Sequence, residues 1–309
     1  MKKITYLIAG LTALFFWTNP VDAMTFNNDG TMVNSRGAII TSEQYQKLLD
    51  IYSTSENKEM KIDYLEPDQV EFYTSPNTNI TKQEEYFITT YTLDRFGNVV
   101  NTRTIPASKE DTERVSENSN LYVMPNGTLQ DISKMAFARS VIDGSSYETA
   151  GKKLELHYAN NSTDYEISMY VDWKTVPKVK SFDVIAFRTE NNLSNNITYY
   201  TAWQRSDVGE TFYGQDGTNT KIGSNGIGVS MNLYDNATEP ETIYLRVRGN
   251  KSYGKYIYAT YQHAVSNISL ATSQSYTFGS SGLGGVLQYS NGYSKYFDNM
   301  AGLKTSYTN

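Results

Sequence analysis

Residues 151–173 read GKKLELHYANNSTDYEISMYVDW. Leu154, Leu156 and Tyr158 alternate with Lys153, Glu155 and His157. Asn160 to Asp164 is a run of turn formers. Tyr165, Ile167, Met169, Val171 and Trp173 then alternate with Glu166, Ser168, Tyr170 and Asp172. Successive side chains of a strand point to opposite faces, so this segment is a long hairpin with one buried face. His157 falls on its polar side.

Downstream the same grammar continues. Strand-forming runs occupy Phe182–Arg188, Ile197–Gln204, Ile227–Leu233, Thr242–Arg248, Lys255–Tyr261, Val265–Leu270, Gln274–Phe278 and Gly285–Tyr289. Gly, Asn, Ser and Asp separate them, and no helical pattern intervenes. A mainly β chain follows, with an antiparallel β-sandwich or jelly-roll-like main domain over residues 121–309.

Upstream, residues 24–120 read as a small N-terminal α+β region. Asn28-Asp29-Gly30 and Ser35-Arg36-Gly37 are turn signals around Thr31-Met32-Val33, a short hairpin. Thr41-Ser42-Glu43-Gln44 is a capping box, and Tyr45, Leu48, Leu49 and Tyr52 follow at helical spacing, which predicts a helix over Ser42–Tyr52. Tyr86–Leu93 is β-rich, Asp94–Asn98 turns the chain, and Val99–Ile105 returns. The polar stretch 106–120 reads as a linker, with a short amphipathic helix over Lys109–Ser116 as the other reading. Ile132, Met135, Ala136 and Ala138 suggest a helix within 128–142.

Composition narrows the function. Met1-Lys2-Lys3, an apolar run from Ile4 to Trp17 and Val21-Asp22-Ala23 make a secretory signal with cleavage expected after Ala23. The apolar run is too short for a span of about 20 residues. None of the 309 residues is cysteine, which removes disulfides, thiolate metal sites and a lipid-anchor cysteine. The tail from Asp298 to Asn309 carries no apolar anchor, so release outside the cell is expected. A net charge of −6 without a basic stripe argues against nucleic acid and against attraction to a membrane surface. Tyrosine is the outlier, 26 against 12 Phe and 3 Trp, and suits strand faces and recognition surfaces alike.

Catalytic signatures are weak. His157 and His263 lie in different predicted strands, and the nucleophile elbow G-x-S-x-G is absent. Glu166 and Asp172 share one strand face, the only carboxylate pair that can be nominated, and exposed carboxylates there would simply be solvated. Asn28-Asp29-Gly30 and Gln215-Asp216-Gly217 do not continue as calcium loops. Gly223–Gly228 and Gly282–Gly285 do not sit between a strand and a helix, as a phosphate cradle requires. No metal and no cofactor are expected. The distinctive segment is Trp173 to Asp183, WKTVPKVKSFD, a lysine-rich loop hanging from an aromatic. Tyr199, Tyr200 and Trp203 form a second aromatic group.

The segment WKTVPKVKSFDVIAFR, then ATYQHAVSNISLATSQSYTF with SSGLGGVL, resembles an uncharacterised family of secreted proteins from Gram-positive bacteria. NNDGTMVNSRGAIITSEQYQKLL and YTLDRFGNVV are similar to the same group. The resemblance implies export and supplies no activity or functional residue.

The leading expectation is a secreted, non-enzymatic β-sandwich protein that binds an extracellular glycan, wall polymer or host protein. Its candidate contacts are Trp173, Lys174, Lys178, Lys180, Tyr199, Tyr200 and Trp203. The alternative is a β-pore-forming toxin in which Leu154–Trp173 inserts, with strands of about 10 residues. Membrane contact is expected in that case alone. A third reading is a carbohydrate-active hydrolase using Glu166 and Asp172.

Overall fold

A computed structural model of the chain describes residues 26–118, 121–124, 128–131, 146–190, 197–213, 217–250, 256–279, 286–290, 292–298 and 302–306. The predicted signal, most of 128–142, and Gly282–Gly285 lie outside the described residues. The chain forms two compact units, residues 1–76 and 77–309.

In the first unit, β1 (Thr31–Val33) pairs with β2 (Ile39–Thr41), followed by α1 (Ser42–Ile51), α2 (Lys58–Asp63) and α3 (Pro67–Thr74). Asp29 accepts from the Thr31 backbone at 3.0 Å and from its hydroxyl, an Asx turn rather than a cation loop. Both halves of the capping box at Thr41 and Gln44 form, as the residue types dictate. Asn34 fastens the hairpin to the helices by donating to the carbonyls of Ile62 at 3.0 Å and Leu65 at 2.7 Å.

The second unit runs β3 (Asn79–Leu93), β4 (Val99–Ala107), α4 (Lys109–Glu117), β5 (Leu121–Val123), β6 (Leu129–Asp131), β7 (Ser146–Asn160), β8 (Asp164–Trp173) and β9 (Phe182–Thr189). It continues through β10 (Ile197–Ser206), β11 (Gly209–Phe212), β12 (Thr220–Gly223), β13 (Gly226–Asn232), β14 (Thr242–Asn250) and β15 (Tyr256–Gln262). Then come α5 (Leu270–Ser273), β16 (Tyr276–Phe278), β17 (Leu287–Tyr289) and β18 (Leu303–Ser306). A seven-stranded sheet has the order β11-β10-β14-β8-β7-β3-β4, and a five-stranded sheet the order β12-β13-β9-β15-β18. Every pairing in them is antiparallel.

The predicted hairpin forms in the expected register, with Leu154 opposite Val171 and Leu156 opposite Met169. Its apolar face meets Ile185, Phe187, Val229, Met231, Ile257 and Ala259 of the small sheet in one buried cluster. This is a β-sandwich core. The small sheet is covered on its other face too: Val184, Ala186 and Tyr258 pack with Ala264, Tyr276, Val286 and Phe297. Strand β9 therefore buries both faces, which is why FDVIAFR reads as a near-continuous apolar run.

Three stretches depart from the expectations. Strands β3 and β4, grouped by composition with the N-terminal region, belong to the large sheet, so the unit boundary falls at Pro76 rather than near residue 120. The polar stretch after Pro106 follows its second reading, the short helix, rather than the linker: it holds α4, capped by the Ser108 hydroxyl, with Thr112 and Val115 turned inward. Val265–Leu270 is not a strand, because Ser269 caps α5 there. Gly223–Gly228 is the β12–β13 hairpin turn and the start of β13, and residues 129–131 are strand where the sequence suggests a helix within 128–142.

Helix α4 sits against β7 at Gly151, where a Cβ would lie 2.6 Å from Thr112 Cγ2 and 3.1 Å from the Thr112 carbonyl. Gly151→Ala is expected to cost about 1–3 kcal/mol by overpacking, read as a lower urea midpoint. An unchanged midpoint would mean that α4 gives way freely.

Candidate functional site

The candidate contacts do not form one surface. Trp173 stays in phase with Met169 and Val171 and points into the sandwich, where it is 3% exposed. Its Nε1–H donates to the Tyr261 hydroxyl at 3.0 Å, and its ring meets His263 edge-on at 4.9 Å. Trp203 lies opposite Tyr244, which lies opposite Tyr170, on the other face of the large sheet. It is 2% exposed and stacks on Tyr244 at 5.0 Å. The two tryptophans are thus buried on opposite faces of one sheet, and in this structure neither presents a ring to solvent.

The lysines of the loop are anchored. Lys174 is half-buried, and its backbone N–H donates to Gly151 at 2.7 Å. Lys178 pairs with Glu148 at 2.9 Å, and the Lys180 ammonium caps the carbonyls of Asp235 at 3.0 Å and Ala237 at 2.7 Å. Tyr200 leans on the core, while the Arg246 guanidinium sits 5.2 Å from the Tyr199 ring on the other face.

The polar side of the hairpin is buried rather than solvated. Lys153 bonds Glu155 at 2.9 Å and Glu84 at 3.1 Å, and His157 Nε2 meets Glu155 at 2.6 Å. Burial works against the Lys153 charge, but the Glu155 and Glu84 carboxylates outweigh it and raise its pKa. Glu166 and Asp172 do share a face, yet each is engaged, Glu166 by Arg246 at 2.7 Å and Asp172 by the Thr242 hydroxyl at 3.0 Å. The hairpin nominated for membrane insertion lies inside the sheet, flanked by β3 and β14.

What the sequence reading did not assemble is a polar constellation between the sheets. Asp183 opens β9 and accepts three donors: the Tyr261 hydroxyl, His263 Nδ1–H at 2.8 Å and the Ala264 backbone at 2.8 Å. His263 Nε2 meets the Tyr91 hydroxyl at 2.8 Å. The His263 backbone donates to Asp298 Oδ1 at 2.7 Å, and Asp298 Oδ2 accepts from Lys152 Nζ at 2.7 Å and from Thr104 at 2.8 Å. Burial and the two aspartates push the Tyr91 and Tyr261 hydroxyls well above the ordinary phenol range, so both stay protonated donors. Both histidines are thus held in internal networks. Asp298 follows the last predicted strand and Lys152 opens the hairpin, so no local spacing links them.

A further group lies at the edge of the sandwich. Strands β11 and β12 end their sheets at the same side, since β9 contacts β14 and β18 contacts β3 and β7. Cross-links confirm the proximity: Gln204 donates to the Asn232 carbonyl at 2.6 Å, and the Thr211 and Tyr234 hydroxyls meet at 2.7 Å. On this edge Val208, Phe212 and Ile222 are 40%, 49% and 46% exposed. Among the described residues no group of three His, Asp or Glu is placed to hold a metal ion, and no helix is long and apolar enough to cross a membrane.

No family model matches the chain, and no curated protein matches it. Among solved structures, the collagen binding domain of the Erysipelothrix rhusiopathiae surface protein RspB is similar over 37% of this chain and 55% of that one, with 8% identity and a TM-score of 0.21. The chain therefore spans about half the length of that domain, and a likeness this slight settles neither fold nor ligand.

Proposed function

We propose that this chain is an exported, non-enzymatic binding protein whose β-sandwich engages an extracellular glycan, wall polymer or host protein. The observation that supports it is the edge carrying Phe212 and Ile222 on two short terminal strands, with Val208 in the turn that leads into β11, all three large apolar side chains. Unpaired strand edges offer backbone donors and acceptors to an added strand, and flanking apolar side chains give such a contact its anchors. Of the three partner classes, an extended protein segment fits this edge best. The signal-like residues 1–23 support export.

The test is direct binding of the full chain to purified wall polymers, a glycan array and extracellular matrix proteins. Phe212→Ser with Ile222→Thr is expected to weaken binding at least about tenfold, as loss of apolar anchors does. Retention of no member of the three panels by the unaltered protein would defeat the proposal. Unchanged affinity in the double variant would defeat the assignment of the edge.

A further inference from the structure

The constellation between the sheets brings an amine against a carboxyl group in a dry, aromatic-lined site. Lys152 Nζ lies 2.7 Å from Asp298 Oδ2, with both side chains fully buried. The Trp173 and Tyr261 rings enclose Nζ at 4.6 Å and 5.4 Å. An ammonium has three hydrogens to donate, and the acceptor oxygen given to this one among the described residues is Asp298 Oδ2 alone. A buried ion pair with such sparse bonding is an expensive arrangement. A secondary amide, with one N–H and one carbonyl, suits the same surroundings far better.

We propose that Lys152 and Asp298 condense into an intramolecular isopeptide bond that ties β7 of the large sheet to the chain segment after Phe297. The proton passes from Nζ to the carboxylate along their hydrogen bond, which yields a neutral amine and a neutral acid. The Nζ lone pair attacks Asp298 Cγ. The Nζ–Cγ bond forms and one Cγ–O bond breaks. The departing oxygen leaves as water with two of the three ammonium hydrogens, and the third stays on the amide nitrogen. No oxidant, metal or activated donor enters the balance.

The framework around Asp298 suits this step. The His263 backbone N–H holds Oδ1, and the Thr104 hydroxyl holds Oδ2. These fixed donors face the oxygens on which negative charge builds during attack, where preorganised hydrogen bonds are most effective. Whichever oxygen remains keeps a donor. Asp183 is a positioning residue: it orients His263 through Nδ1 and fixes the Tyr261 ring through its hydroxyl. Excluded water also removes the competitor that would reverse the reaction. The partners are 146 positions apart in sequence, so the bond would enclose a large loop and restrict the unfolded chain.

The decisive experiment is intact mass spectrometry of the full chain under denaturing conditions, followed by proteolysis. The unaltered protein is expected to be lighter by one water than its sequence requires and to yield a branched peptide joining Lys152 to Asp298. Lys152→Arg keeps the positive charge but is expected to restore the missing water and abolish the branched peptide. Asp298→Ala is expected to do the same. Should either variant fail to fold, the unaltered protein alone decides the matter. A full-mass protein with Lys152 and Asp298 in separate linear peptides would overturn the proposal.

Discussion

Asp183→Ala is expected to destabilise the β-sandwich by about 4 kcal/mol, because each buried donor left without an acceptor costs about 1–3 kcal/mol. Three such donors converge on this one carboxylate: the Tyr261 hydroxyl, His263 Nδ1–H and the Ala264 backbone N–H. Asp183, Tyr261, His263 and Ala264 are all 1% exposed or less, so water cannot step in without opening the core. Relaxation shared among neighbours keeps the loss below the sum of three separate deletions. Urea unfolding followed by tryptophan fluorescence is the measurement, since Trp173 bonds Tyr261 and packs against His263. Asp183→Asn retains one acceptor oxygen and is expected to lose about half as much. A loss under about 1 kcal/mol in the alanine variant would show that the constellation is not a stability element.

The sandwich was legible because alternation is a local signal. Residues 151–173 specify both the strand period and the buried face, and the observed pairing of Leu154 with Val171 follows from them. The capping box at Thr41 was legible for the same reason, since the groups that satisfy each other lie three residues apart. Polar strand edges were less so. Strands β11 and β12, each four residues long, carry no alternation to detect. Helix α4 was legible only as the second reading of a charged stretch, because it buries only Thr112 and Val115. Assigning β3 and β4 to the large sheet required knowing that Asn79–Leu93 pairs along its whole length with β7, which lies beyond a long intervening segment.

The candidate contacts show where residue type misleads. A tryptophan at the end of a hairpin beside three lysines has the composition of a binding loop. Its phase gives the better clue: Trp173 is even-spaced from Val171, Met169, Ile167 and Tyr165, all of them core residues. The same count places Lys152 on the inner face beside Leu154, a charged residue at an apolar position. That mismatch is the sequence-level trace of the buried constellation. Its partners, Asp183, His263 and Asp298, come from a strand start, a strand end and a loop, so only the fold reveals them. Glu155 and Glu166 carry the opposite lesson: they stand on the polar face as alternation demands, yet both are fully buried and ion-paired.

Glu241→Gln is expected to stabilise the protein by about 3 kcal/mol at pH 7, from the usual conversion of a shifted acid into free energy. Glu241 precedes β14 and is 1% exposed. Burial pushes its carboxyl up from 4.5 to about 8, the Tyr234 backbone N–H opposes the rise, and Asp183 adds to it. The sign follows from where the proton resides. Below pH 4.5 the carboxyl is protonated in both folded and unfolded chains and contributes no pH dependence. Between that value and about 8 the unfolded chain releases its proton while the folded protein keeps it, so stability falls as pH rises. Above about 8 both states are ionised and the loss levels off. Glutamine keeps the carbonyl that accepts from Tyr234 at 2.9 Å and has no proton to release. The difference between variant and parent in urea unfolding is therefore expected to be near zero at pH 4.5 and to widen steadily toward pH 8. Parallel pH profiles for the two proteins would show that Glu241 ionises freely in the folded state, with its carboxylate reaching solvent through local opening ahead of β14.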